Sequence, residues 1–291
     1  MVKVSTLEQS VGFATQNDYE DIAKVWRISF SDTDSYIKQF WNAMFKPENT
    51  LVYRVEGVVV AMYFFLEAQT VIKGKCYSTY YLYAAATLPK YRGRGYMAEL
   101  IEKGVEVARE RNIDFIVLVP AEESLFDYYS KFGFVTKFNK KSVTLSRKQL
   151  FSVMKKAEPS EEHDLFQIRQ IALAPYDFLN WGSKALNYAA KEHIYTHGSM
   201  VSTKKGYAMF TKGKDTLYIK ELCSMGSIGE IFYLLLQNED ANHFVLNLPV
   251  DFPMNTDDTK IIDVGMIRPL NENSEQAMEK MNNAFIGLSL G

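Results

Sequence analysis

Residues 80–112 read YYLYAAATLPKYRGRGYMAELIEKGVEVARERN, and the rest of the chain is best understood outward from them. A strand-like run shrinks to small side chains at Ala84, Ala85 and Ala86, and passes Thr87 and Leu88 to Pro89. Pro89 ends a strand without needing a backbone donor. Arg92-Gly93-Arg94-Gly95 follows, and apolar spacing of helical period begins at once over Met97–Arg111. A helix start presents unpaired N–H groups and the positive end of the helix dipole, which together form an anion site. The glycines let backbone come close to a phosphate group, and Arg92 and Arg94 add positive charge. The small residues at Ala84–Ala86 leave room for an extended ligand whose amides pair with strand backbone. Strand, glycine-arginine turn and helix thus suit a ligand that joins a pyrophosphate to an amide-bearing arm.

Around this stretch the first half alternates helix and strand. Asn17 and Asp18 begin a helix that carries Ile22, Val25 and Trp26. A second helix is expected over Ser35–Met44, and a hairpin turns at Gly57. After the long helix come the buried strand FIVLVP (Phe115–Pro120), the short helix SLFDYYSKF, a turn at Gly133 and strands to Leu145. Residues 148–160 read as a junction. Beyond it the order repeats weakly: DIAKVWRIS (Asp21–Ser29) against DLFQIRQIA (Asp164–Ala172), Ala61-Met62 against Ala208-Met209, and FIVLVP against FVLNLP (Phe244–Pro249). Gly226–Gly229, GSIG, stands where the first copy has its arginines, and no tyrosine helix follows Pro249. The expected architecture is therefore α/β, a mixed sheet flanked by helices, in two copies of one fold. Domain one covers 1–148 and carries the ligand site; the second, 149–291, is degenerate.

Composition narrows the function classes. The 291 residues are 47% apolar and 14% aromatic, enough for packed cores. With 33 basic and 35 acidic residues in no long block, nothing resembles a nucleic-acid footprint. The longest apolar run, Val58–Leu66, is too short for a membrane span of about 20 residues. Cys76 and Cys223 form no metal or disulfide pattern, and no signal-peptide pattern opens the chain. A cytoplasmic protein is expected. His193 and His197, spaced i, i+4, lack a third ligand and read as a helix surface.

TLPKYRGRGYM resembles motif A of the GNAT superfamily of N-acetyltransferases, whose core is Arg/Gln-x-x-Gly-x-Gly/Ala. Arg92 and Gly95 match it, and Met97 departs at its last position. LFDYYSKFGFV (Leu125–Val135) is similar to the family's Tyr-x-x-x-Gly-Phe segment, with Gly133-Phe134 setting Tyr129 at the tyrosine position. The resemblance implies acetyl-CoA as cofactor. Ala85, Ala86 and Thr87 would hold pantetheine, and the amides of Gly93, Arg94, Gly95, Tyr96 and Met97 the pyrophosphate, with Arg92 and Ser124 alongside. Tyr129 would stand near the sulfur, where a hydroxyl can protonate a leaving thiolate. The implied reaction is direct attack of a primary amine on the thioester; the alternative is a non-catalytic CoA-binding protein of the same fold.

An acceptor amine of pKa about 10.4 needs its proton removed, and the strand Thr79–Thr87 has no carboxylate. Glu67, Glu122 and Glu123 are candidates. The tandem arrangement resembles the branch of the enhanced-intracellular-survival acetyltransferases, where the terminal carboxylate reaches the active site. By that likeness Gly291, at the end of the apolar tail NNAFIGLSLG, is a catalytic candidate, although the length leaves no room for that branch's third, sterol-carrier-like domain. The expected partner is a small-molecule or peptide amine, without nucleic acid or membrane; a homo-oligomer stays open.

Overall fold

The computed structural model describes residues 8–290. In chain order the elements are β1 (Gln9–Phe13), α1 (Tyr19–Phe30), α2 (Asp34–Met44), β2 (Thr50–Val55), β3 (Val58–Ile72), β4 (Lys75–Thr87), α3 (Tyr96–Glu110), β5 (Phe115–Leu118), α4 (Ser124–Ser130), β6 (Val135–Ser146) and α5 (Arg147–Val153). They continue with α6 (Leu165–Leu173), β7 (Phe178–Trp181), α7 (Ser183–Tyr195), β8 (Ser199–Thr203), β9 (Gly206–Lys212), β10 (Thr216–Ser224), α8 (Ile228–Asn238), β11 (His243–Leu248), β12 (Lys260–Pro269) and α9 (Glu272–Glu279). The strands make one mixed sheet in the order β1-β2-β3-β4-β5-β12-β6-β11-β10-β9-β8, with β7 on the outer part of β3.

Amphipathic helices cover both faces of this sheet. On one, α1 and α2 bury Ile22, Val25, Trp26, Ile37 and Phe40 against Phe64 and Tyr83. On the other, α3 buries Leu100, Ile101, Val105 and Ala108 against Tyr63 and Phe65, and Tyr129 and Phe134 join that layer. Burial of such side chains supplies about 1.5–3 kcal/mol each. The β2–β3 hairpin turns through Glu56 and Gly57, both at positive φ, as a two-residue turn of this hand requires.

The repeat is realised in space. β3–β4–α3–β5 has its counterpart in β9–β10–α8–β11: an antiparallel pair, a helix, then a parallel strand. Ala61-Met62 and Ala208-Met209 sit in β3 and β9, and the two buried runs form β5 and β11. The second copy's helix start is filled from inside. Ser227 caps α8 by accepting from the N–H of Gly229 at 3.3 Å, and Lys155 N–H bonds the Gly229 carbonyl at 2.9 Å. A side chain at Gly229 would strike the Val153 carbonyl, so the α5 end and the residues after it occupy the place a phosphate would need.

The two halves also exchange strands. β6 pairs with β11, Phe244 opposite Leu145, while β12 returns to lie between β5 and β6. Helix α5, absent from the sequence reading, spans residue 148. The tail is buried across both halves: Ala284 bridges Phe138, and Phe285 bridges Phe178 beside β7. Phe285, Ile286, Leu288 and Leu290 are all buried.

Candidate active site

Two irregularities in β4 create the site. The β4–β5 ladder runs only from Thr79–Phe115 to Tyr81–Val117, although β4 continues to Thr87. On the other edge, Met62 faces Ala86 and Phe64 faces Tyr83, so one residue of β3 opposes two of β4. That bulge places Ala84 at φ +52°, unusual for a residue with a Cβ. It bends β4 away from β5 and leaves a wedge between them. Backbone on the β5 side of residues 82–87 has lost its ladder there.

The turn after β4 borders the wedge. Gly93 and Gly95 have φ of +73° and +86°, which favours glycine. A Cβ built on either meets nothing within 4 Å, so the backbone faces open space. Gly95 caps α3 without a side-chain bond, and the first N–H to bond back is that of Glu99, to the Gly95 carbonyl at 3.0 Å. The amides of residues 96–98 therefore have no helical partner. Arg92 Nε donates to the Thr87 carbonyl at 3.0 Å, which ties the turn to the end of β4, and Arg94 and Lys90 lie over the Tyr91 ring.

These groups converge on one groove of about 630 Å³. Ala85, Ala86, Thr87, Arg92, Gly93, Arg94, Gly95, Tyr96, Met97 and Tyr129 all line it. Tyr96 does so at its backbone end, since its buried ring stacks on Tyr53 at 4.1 Å. Ser124 does not line it; its hydroxyl donates to Glu122 Oε1 at 2.7 Å. Gly291 lies outside the described residues. The groove is also walled by Ser29, which the sequence reading missed. Its buried Oγ has no hydrogen-bond partner, an orphan polar atom that a ligand amide would satisfy. Tyr129 is 7% exposed, and its phenol is pushed up to about 12 by burial and, secondarily, by Tyr128. It thus keeps its proton at neutral pH.

A second cavity, about 460 Å³, meets the groove at Phe30 and Ala121, and Tyr81–Ala84 of β4 run along it. Its walls include Trp26, Asp32, Tyr36, Glu192, His193, Lys220, Ser289 and Leu290. Lys220 is the bulge residue of β10, between Ile219–Phe210 and Glu221–Met209, so the bulges of both copies reach one cavity. Tyr36 donates to Glu192 Oε1 and lies 3.2 Å from the Tyr83 hydroxyl. Burial and the Glu192 charge hold the Tyr36 phenol far above its ordinary range. His193 corrects the helix-surface reading: it is 5% exposed, with Nε2 at 3.2 and 3.1 Å from the Ser199 and Phe210 carbonyls. His197, beyond the end of α7, is exposed. Among the base candidates only Glu122 faces the groove. Glu67 is tied to Lys46 at 2.7 Å and Asn49 at 3.1 Å, and the Lys46 hydrogen bond lowers its carboxyl pKa. Among the described residues no cluster of His, Cys, Asp and Glu could hold a metal ion, and no helix is long and apolar enough to cross a membrane.

Residues 10–136 match the acetyltransferase (GNAT) domain family, and the chain carries a GNAT acetyltransferase domain there. Solved structures share the fold over most of the chain. A GCN5-related N-acetyltransferase from Anabaena variabilis superposes with a TM-score of 0.75 at 15% identity, over 92% of this chain and 74% of its own. One from Kribbella flavida gives 0.74 at 14%, over 92% and 73%. Eis1 from Mycobacterium abscessus gives 0.69 at 13%, over 90% and 74%. No match was found among curated protein sequences.

Proposed function

We propose that this chain transfers an acetyl group from acetyl-CoA to a primary amine, with residues 1–148 supplying the cofactor site and 149–291 one wall of the acceptor cavity. The carrying observation is the convergence of the β4 wedge, the unpaired amides at the start of α3 and the Tyr129 hydroxyl on one groove. The amides of residues 93–97, with Arg92 and Arg94, suit a pyrophosphate; the freed edge of β4 at residues 85–87 suits the pantetheine amides, and Ser29 offers one more polar contact. Bound there, acetyl-CoA supplies an activated thioester.

The amine nitrogen attacks the thioester carbonyl, the carbon–sulfur bond breaks, and Tyr129 gives its proton to the departing sulfur. The amine's own proton must leave by another route. Ser289 and Leu290 on the cavity wall support the α-carboxylate of Gly291 as its acceptor, with Glu122 the nearest candidate in the groove itself. The discriminating experiment is calorimetry with acetyl-CoA and CoA on wild type and Gly95→Glu. A carboxylate and its bulk in the phosphate site should abolish binding; equal affinity in the two proteins would refute the assignment.

A further inference from the structure

The second cavity carries chemistry that selects an acceptor, and the following rests on the acetyl-transfer reading. Its lining is rich in rings. Trp26, Tyr36 and Tyr83 hold one another at centroid distances of 5.8–6.2 Å for the two Trp26 pairs, and Tyr81 continues the wall. Into this aromatic space come few charges. Glu192, buried and holding the Tyr36 hydroxyl, is one carboxylate, and Asp32, which accepts from Trp26 Nε1 at 2.8 Å, is the other. The single ammonium of the lining is Lys220. It donates to the Ser289 carbonyl at 3.0 Å, and among the described residues no carboxylate pairs with it. Buried His193 adds no charge at neutral pH, since burial lowers its pKa.

Aromatic faces and a desolvated carboxylate favour one cation. An uncompensated ammonium on the same wall opposes a second one. The cavity is near the small end of ligand-site volumes, and its rings match a flat apolar body better than a polyhydroxylated one. We propose that the acceptor is a compact primary amine on an aromatic body, carrying a single positive charge before transfer. Its amine end lies toward Glu192 and the mouth shared with the groove; its ring lies among Trp26, Tyr36 and Tyr83. Transfer converts the amine to the N-acetyl amide, with one proton released from nitrogen and one taken up by the CoA sulfur, so no further reactant is needed.

The test uses the full chain with phenethylamine, spermidine and ethanolamine. Thiol release from acetyl-CoA should show kcat/KM for phenethylamine about tenfold or more above the other two. Lys220→Met should raise the spermidine-to-phenethylamine ratio about fivefold, and Glu192→Gln should weaken phenethylamine about tenfold. Phenethylamine should also quench tryptophan fluorescence through Trp26 without any acetyl-CoA present. Spermidine or ethanolamine turning over as well as phenethylamine, or a spermidine ratio unmoved in Lys220→Met, overturns the proposal and leaves acetyl transfer standing. Quenching by phenethylamine without thiol release from any amine upholds the aromatic-amine site and overturns the transfer reading instead.

Discussion

Arg169 Nε lies 3.1 Å from Glu221 Oε2, and neither side chain is more than 1% exposed. Each uses its remaining capacity on the tail. Arg169 donates to the Ile286 carbonyl and to the Leu179 carbonyl, both at 2.8 Å. Glu221 accepts from the Leu288 N–H at 2.8 Å and from the Tyr207 hydroxyl at 2.6 Å. Trp181 Nε1 adds a bond to the Leu288 carbonyl at 2.8 Å. A buried ion pair is here the socket that holds residues 286–288, and through them the stretch 289–290 that lines the acceptor cavity.

Removing one partner should therefore cost far more than removing both. Glu221→Ala leaves a buried guanidinium uncompensated and is expected to lose about 3–5 kcal/mol. Replacing Arg169 and Glu221 together by Leu should lose less than the two single losses combined, because no unpaired charge remains. Urea unfolding of the four proteins measures the cycle, and strictly additive losses would show that the pair acts as two independent polar residues.

Gly104 in the middle of α3 gives a second stability test. Gly→Ala in an exposed helix gains about 1 kcal/mol. Here a Cβ would overlap the Tyr63 hydroxyl and come within 3.0 Å of Phe65 Cζ. That hydroxyl donates to the Leu100 carbonyl at 3.0 Å, so it has a reason to stay. Gly104→Ala should lose about 1–3 kcal/mol, and Tyr63→Phe in the same chain should recover part of it. A Gly104→Ala protein with a higher Tm than wild type would show that α3 can stand further from the sheet.

What the sequence revealed divides along the range of the interactions. The glycine-arginine turn, the helix after it and the strand before it are local, and their chemistry is written in consecutive residues. The repeat was legible too, because α1 and α6, β3 and β9, β5 and β11 keep the same buried positions. The bulge at Ala84 was hidden, since alanine carries no sign of positive φ; only the loss of register opposite Tyr63 reveals it. The exchange of β6 and β12 was hidden because partners more than a hundred residues apart leave no periodicity to read. The acceptor cavity was hidden for the same reason. Glu192 sits in a helix that looks like an ordinary surface, and Lys220 looks like an outward strand residue until the β10 bulge turns it inward. Ser29 was an unremarked residue near the end of α1, and only its burial beside the groove without a partner marks it.

The proton held by Tyr129 gives the last prediction. The phenol is raised to about 12, burial being the larger cause and Tyr128 the smaller; no hydrogen bond contributes. Its folded pKa lies above the unfolded value of about 10. The sign follows: the group's contribution to stability is intact below pH 10 and is lost as pH rises from there through about 12. Across neutral and mildly alkaline pH the hydroxyl remains a donor. A leaving thiolate can therefore take its proton without the enzyme first recruiting one from water. Tyr129→Phe keeps the ring and its edge contact with Phe134 at 5.9 Å, so packing should survive. The expected result is a fall in kcat of about 10²-fold or more, with acetyl-CoA affinity and Tm near those of wild type. Steady-state kinetics beside calorimetry separates the alternatives: a loss confined to KM for acetyl-CoA would make Tyr129 a binding residue and remove its part in proton transfer.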